Sequence, residues 1–154
     1  MKLTFLGTRG EIEIRSKRHG MHSSLLVSDG VRDVMVDCGA DWAEEVRRVN
    51  PCAIVLTHAH ADHAGGVKGG SACIVFASYE TWQVLKRYPI EDRRQFASNR
   101  PFRIGQLTFE AFPVEHFLRA PAVGFRIAHG QRKIFYVPDV ALLTRQSEAL
   151  RGHW

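Results

Sequence analysis

The 154-residue sequence contains few cysteines and no long apolar segment. Its three cysteines, at positions 38, 52 and 73, are an odd number without the spacing of a disulfide framework, which indicates reduced thiols. No stretch approaches the ~20 apolar residues that span a membrane, and the amino terminus lacks the apolar core of a signal peptide. Repeats and low-complexity tracts are absent as well. We therefore expect a cytoplasmic protein that does not associate with a membrane.

The composition is that of a globular protein with an excess of basic residues. Hydrophobic residues make up 45% of the chain, enough for a core at this length, and we expect a single domain over residues 1–154. The formal net charge of +5 favours an anionic substrate, either a small molecule or a nucleotide-type compound. Basic side chains crowd the stretch 9–22, which contains Arg9, Arg15, Lys17, Arg18, His19 and His22.

Four metal-ligating side chains stand within six residues, in the segment His58-Ala59-His60-Ala61-Asp62-His63. Imidazole and carboxylate groups together suit zinc and similar divalent ions. In an extended chain alternate side chains point to the same side, so His58 and His60 can bind one ion together. Asp62 and His63 are adjacent, and a turn into a helix would direct both toward a second ion beside the first. The alternative is a polar turn with surface histidines, which four ligands at this spacing disfavour.

The sequence around this segment alternates strand and helix patterns. The apolar run 53–56 directly before it predicts a strand buried on both faces, so the ligands follow the carboxyl end of that strand. Asp41 as a cap and Glu44 three residues later predict a helix that ends at Asn50-Pro51. A sheet covered by helices suits the remaining pattern, which predicts strands at 2–6, 23–28, 33–37, 72–77, 107–112, 122–128 and 133–137, a helix at 79–88 and an irregular segment at 90–101.

A predicted hairpin brings two further candidate ligands together. Residues 129–132 form the turn between the last two predicted strands. Antiparallel pairing of these strands returns Asp139 to the neighbourhood of residue 121, close to His116. The pattern therefore places two potential ligands, both distant from the histidine-rich segment, beside each other.

The segment His58-x-His60-x-Asp62-His63 resembles the signature of the metallo-β-lactamase-fold hydrolases. The resemblance runs from Met1 to about residue 150. It implies an α+β fold, the αββα sandwich of the metallo-β-lactamases, lacking the carboxyl-terminal part of the usual second half. Other positions also fit the order of that family, namely Leu6-Gly7-Thr8, Val36-Asp37-Cys38-Gly39, His116 and Asp139.

The resemblance implies a centre of two zinc ions, with manganese or iron as alternative metals. His116 could instead be a loop histidine, and Asp139 could cap a helix at 140–149. The implied ligands form two sets, His58, His60 and His116 for the first ion, and Asp62, His63 and a bridging Asp139 for the second.

The chemistry that the resemblance implies is hydrolysis by a metal-bound hydroxide. Asp62 would orient this hydroxide and collect its proton, which makes it the catalytic residue. Asp37 would accept a ring N–H from a ligand histidine and so fix the tautomer of that ring.

The amino-terminal part of the chain narrows the expected substrate. Gly7-Thr8-Arg9 and His22-Ser23-Ser24 resemble the first two strands and loop of phosphodiesterase-type members, such as the tRNA 3′-processing endonucleases and the cyclic-phosphate phosphodiesterases. We therefore expect hydrolysis of phosphodiester bonds, with Arg18 and His22 as substrate-binding residues. Hydrolysis of a thioester or a lactone is the alternative.

The sequence departs from the family pattern near its end. The family supplies a further histidine from a later strand, and His153 arrives too early for that role, without a strand before it. We expect an incomplete second metal site, or one completed by water or by another subunit. A catalytically impaired metal-binding or interaction domain is therefore a second hypothesis. A shortened sheet would also leave an exposed edge, which favours a homodimer.

Overall fold

The computed structural model describes residues 1–17, 19–117 and 120–140, which form two β-sheets. The six strands of the first sheet lie side by side in chain order: β1 (Lys2–Gly7), β2 (Ser24–Ser28), β3 (Asp33–Val36), β4 (Ala53–Val55), β5 (Ile74–Ala77) and β6 (Arg93–Gln95). The first three strands pair antiparallel and β3 to β6 pair parallel. The second sheet is antiparallel and contains β7 (Phe102–Ile104), β8 (Leu107–Phe117), β9 (Ala120–His129) and β10 (Arg132–Tyr136).

The two sheets pack face to face around an apolar core. Successive side chains of a strand point to opposite faces, so Val34 and Val36 of β3 face the second sheet, while Met35 between them faces away. Burial of a side chain of this size stabilises the fold by about 1.5–3 kcal/mol. The second sheet contributes a matching row of buried side chains, namely Leu107, Phe109, Ala111, Val123, Phe125 and Ile127.

Short helices cover the other face of the first sheet. They are α1 (Val46–Val49), α2 (Ala61–Ala64) and α3 (Tyr79–Val84), with 3₁₀ turns at Ala40–Trp42 and Gly65–Val67. Strand β4 is buried on both faces, as predicted, because Ala53 and Val55 face the second sheet and Ile54 faces this helical layer. Within the described ranges, no helix has the length and apolar character needed to cross a bilayer. Two packed sheets with helices on the outer face of the first agree with the layers that the resemblance implies.

The continuous capped helix predicted after Asp41 is wrong. The chain forms a 3₁₀ turn there, preceded by Gly39 without a side-chain cap, and then the single turn of α1. The Asp41 carboxylate instead accepts hydrogen bonds from the guanidinium groups of Arg9 and Arg15. Both partners of these hydrogen bonds are charged, so they compete strongly with the backbone N–H groups that a cap would bind. The predicted end is correct, since Asn50 adopts a left-handed conformation with φ 51°.

Two strands of the structure were not predicted. Strand β6 lies inside the segment 90–101 that the pattern left irregular, and β7 follows it. Strand β8 extends to Phe117, five residues beyond its predicted end, and therefore includes His116. The hairpin after β9 is confirmed, with Arg132 paired to His129. The helix considered at 140–149 lies outside the described residues.

Candidate metal centre

The histidine-rich segment begins just beyond the end of β4. His60 has an extended backbone, with φ −63° and ψ 150°, and immediately precedes α2. The helix carries Asp62 and His63 in adjacent positions, and both side chains are buried. The turn into a helix, predicted from the adjacency of these two ligands, is therefore present.

The second sheet supplies the two distant candidates. His116 lies in β8, and Asp139 follows the end of β10 by three residues. A hydrogen bond from the backbone N–H of Val123 in β9 to the carbonyl oxygen of Thr57, 3.1 Å long, joins the histidine-rich segment to this sheet. Side chains from both sheets thus meet at one end of the sandwich.

His58, His60 and His116 form the first ligand set. One ring nitrogen from each residue lies within 4.8 Å of the other two. The Nε2 atom of His116 is 3.3 Å from the Nδ1 atom of His60. Two nitrogen ligands bound tetrahedrally to one zinc ion are separated by about 3.3–3.4 Å. His60 and His116 therefore already have the nitrogen spacing that zinc requires.

The predicted second ligand set consists of Asp62, His63 and Asp139. Within 4.8 Å of one another, however, the structure groups ligand atoms of His58, His63 and Asp139. The Nε2 atom of His63 is 3.4 Å from Asp62 Oδ2 and 3.1 Å from Asp139 Oδ2. The same Asp139 oxygen lies 3.6 Å from His116 Nε2 and 3.9 Å from His58 Nε2. The Asp139 carboxylate therefore lies close to histidines of both sets, and its bridging role stays a prediction.

Asp37 contacts His63 at the ring nitrogen that does not face Asp139. Its Oδ2 atom lies 2.8 Å from the Nδ1 atom of His63. Its Oδ1 atom accepts hydrogen bonds from both the backbone N–H of Thr57, at 2.8 Å, and the Thr57 hydroxyl, at 2.9 Å. The hydroxyl is also 3.0 Å from Nδ1 of His58. Thr57 was not among the predicted site residues, although Thr57 and Asp37 follow paired parallel strands, which is a signal that they meet.

Burial and the neighbouring carboxylates shift the pKa values of the two buried histidines in opposite directions. Burial, followed by the charge of His63, lowers the pKa of His58 to about 4. Burial also opposes the charged form of His63, but the carboxylates of Asp37, Asp139 and Asp62 outweigh it and raise its pKa to about 12. A hydrogen bond from His63 lowers the pKa of Asp139.

The residues present fit a divalent metal ion. The Nε2 atom of His58 and the Oδ1 atom of Asp62 are buried and have no hydrogen-bond partner within the described part of the chain. A buried polar atom without a partner costs about 1–3 kcal/mol, and a bound cation would satisfy both atoms. Imidazole and carboxylate are the ligand types that zinc takes in catalytic sites. Residues from 141 onward, including His153, lie outside the described residues.

The structure describes only His22 of the two predicted substrate-binding residues. Arg18 lies outside the described residues. His22 and Asp41 exchange hydrogen bonds, from His22 N–H to Asp41 Oδ2 at 3.0 Å and from Asp41 N–H to His22 Nδ1 at 3.1 Å. Gly39 separates His22 from the backbone of Asp62, because a Cβ at this glycine would overlap both. His22 therefore lies next to the metal-ligand segment, and substrate contact stays a prediction.

The chain belongs to the beta-lactamase superfamily, since the model of the beta-lactamase superfamily domain matches residues 32–153. This confirms the resemblance to the metallo-β-lactamase-fold hydrolases, a fold that implies divalent metal ions. Ribonuclease Z from Bradyrhizobium diazoefficiens is 34% identical over 74 residues, which cover 44% of this chain and 23% of that protein.

Solved structures show the same fold at low sequence identity. The metallo-beta-lactamase fold protein YhfI from Bacillus subtilis is 18% identical with a TM-score of 0.66, over 86% of this chain and 61% of that one. A diphosphatase from the PhnP family is 23% identical with a TM-score of 0.64, over 82% of this chain and 62% of that one. The short form of human tRNase Z is 19% identical with a TM-score of 0.65, over 94% of this chain and 72% of that one. The chain thus spans less than two thirds of the first two structures.

Proposed function

We propose that this protein is a metal-dependent hydrolase of phosphodiester bonds. The observation that carries the proposal is the position of Asp139, whose Oδ2 atom lies 3.1 Å from a ring nitrogen of the second ligand set and 3.6 Å from one of the first. Two ions held side by side are an arrangement that phosphatases and nucleases use for displacement at phosphorus. The ligand types favour zinc, with manganese or iron as alternatives.

Each ligand set would hold one ion, and Asp139 would contact both. Bound divalent ions would act as Lewis acids on the phosphoryl oxygens and lower the pKa of a bound water toward neutrality. In the second set, Asp62 Oδ1 is buried and has no hydrogen-bond partner among the described residues. One carboxylate oxygen of Asp62 would bind the ion, which leaves the other to accept the proton of the attacking water.

The charge of the chain and the names of its relatives support a phosphodiester as the substrate. The net charge of +5 favours an anion. Ribonuclease Z and tRNase Z are named for action on RNA, and the PhnP-family protein is named a diphosphatase. We therefore place the substrate among small-molecule or nucleotide-type phosphodiesters.

The test combines metal quantification with turnover of a model phosphodiester, bis(p-nitrophenyl) phosphate, in the presence of zinc, manganese or iron. We expect two ions per chain and turnover in at least one metal. His60→Ala should abolish turnover and release metal from the first set, because it removes one of three ring nitrogens. His129→Ala is the matched control, since His129 lies at the turn between β9 and β10, away from the centre.

Three outcomes would contradict the proposal. Activity that survives His60→Ala would mean that the reaction takes place elsewhere. One tightly held ion without turnover of any ester would instead favour a non-catalytic metal-binding domain. Turnover of a thioester or a lactone, with none of the phosphodiester, would retain the metal centre and overturn the substrate class.

A further inference from the structure

The Thr57 hydroxyl lies between a ligand histidine and the carboxylate of Asp37. It is 2.9 Å from each Asp37 oxygen and 3.0 Å from Nδ1 of His58. Thr57, His58 and Asp37 are all buried, with at most 1% of each residue exposed. In such surroundings the hydrogen bonds of each group are fixed by its neighbours, because bulk water does not compete for them.

The chemistry of the three groups assigns the direction of these hydrogen bonds. An ionised carboxylate only accepts, so the single hydroxyl proton of Thr57 is donated to Asp37. The hydroxyl oxygen is then free to accept, and the Nδ1–H of His58 is the donor it faces. This leaves Nε2 of His58 without a proton, and Nε2 is the atom that lies near Asp139 at 3.9 Å.

Asp37 contacts a histidine of the second ligand set directly. Its Oδ2 atom lies 2.8 Å from Nδ1 of His63, so that nitrogen donates and Nε2 of His63 faces Asp62 and Asp139. One carboxylate therefore orients a histidine of each set, directly for His63 and through the Thr57 hydroxyl for His58. Asp37 itself is held by the backbone N–H of Thr57 at 2.8 Å.

We propose that Thr57 is a positioning residue whose hydroxyl fixes the tautomer of His58 and thereby couples the first ligand set to Asp37 and the second. The inference rests on the proposed metal centre. Loss of a group that orients a ligand histidine weakens metal binding by about 10–100-fold. We expect a loss of this size for the first ion when the hydroxyl is removed, together with a smaller loss for the second ion.

The test compares Thr57→Val with Thr57→Ser. Valine keeps the shape of threonine and the backbone N–H to Asp37 but lacks the hydroxyl, whereas serine keeps the hydroxyl. The matched control is Thr81→Val, because Thr81 is also buried, with 2% exposed, and its hydroxyl contacts only Ser78 at 3.3 Å among the bonds described. Two quantities are measured: the zinc dissociation constants, by competition with a chromophoric chelator, and the ring ¹⁵N shifts of His58 in the metal-free protein.

We expect Thr57→Val to weaken zinc binding about 10–100-fold and to change the His58 ring shifts, while Thr57→Ser and Thr81→Val stay within about threefold of the original protein. Unchanged zinc affinity and ring shifts in Thr57→Val would overturn the inference. An equal loss in Thr57→Ser, or in Thr81→Val, would also overturn it, because the hydroxyl at position 57 would not be the cause. If the original protein takes up no zinc, the proposed metal centre itself fails.

Discussion

Asp29 ties the two sheets together at the turn between β2 and β3, which makes it a sensitive place to test the fold. Its Oδ1 atom accepts the backbone N–H groups of Val31 and Arg32, each at 2.8 Å. Its Oδ2 atom accepts the N–H of Gln106, at 3.0 Å, from the turn between β7 and β8 of the other sheet. Asp29→Ala would remove all three hydrogen bonds and leave the turns without their common partner.

The pKa of Asp29 gives the size and sign of the effect. The N–H groups of Gln106, Arg32 and Val31 lower this pKa from 3.8 to about 2. At 1.36 kcal/mol per pKa unit the difference is about 2.4 kcal/mol, and solvent near the turn reduces it to about 1–2 kcal/mol. Because the pKa is lower in the folded state, the stabilisation is complete above about pH 5. It is lost as the pH falls from 3.8 toward 2.

Urea denaturation of the metal-free protein at pH 7 and pH 3 measures this effect. We expect Asp29→Ala to lower the free energy of unfolding by about 1–2 kcal/mol at pH 7, and by about half as much at pH 3. Asp92→Ala is the control, because Asp92 forms a surface ion pair with Arg94 and its side chain is 43% exposed. The reasoning would be refuted if the Asp29 deficit were the same at both pH values, or no larger than that of Asp92→Ala.

Two further substitutions test the surroundings of the candidate metal centre. Asp37→Asn should weaken zinc binding at the second ligand set about 10–100-fold, because an amide N–H facing Nδ1 of His63 would favour the opposite tautomer of that ring. Zinc stoichiometry at limiting metal measures the loss. An unchanged zinc affinity would contradict the prediction. Gly39→Ala should lower both the melting temperature and the zinc affinity, since its Cβ would overlap the carbonyl oxygen of Asp62, whereas Gly69→Ala, where a Cβ meets nothing within 4 Å, should change neither. Equal melting temperatures for these two glycine variants would refute the role given to Gly39.

The strand before the ligands was predictable because its signal is local. Ala53, Ile54 and Val55 are consecutive apolar residues, and both faces of a strand with such a sequence must be covered. The adjacency of Asp62 and His63 likewise predicted the turn into α2, since neighbouring residues of an extended chain point in opposite directions. Strand β6 gave no such signal, because its residues Arg93–Gln95 are charged or polar and pair with a neighbour on one side.

The wrong prediction at Asp41 has a different cause. An acidic residue followed three positions later by glutamate is a helix-start pattern, and nothing in that short window reveals a competing partner. The partner is Arg9, 32 residues earlier, whose guanidinium group is buried beside the Asp41 carboxylate. A buried arginine needs a counter-charge, so the tertiary structure recruits Asp41 for this ion pair and the helix loses its cap.

Contacts between residues distant in the sequence also limited how much of the candidate metal centre could be predicted. His58, His60 and His63 come from the first sheet, whereas His116 and Asp139 come from the second, and no local pattern fixes how the sheets face each other. The hairpin of β9 and β10 predicted that the two distant candidates approach each other. Their approach to the histidine-rich segment depends on sheet packing and on contacts such as the hydrogen bond from Val123 to Thr57. Ions held by ligands from both sheets would therefore join the two layers at this end of the sandwich, which links metal binding to the packing of the fold.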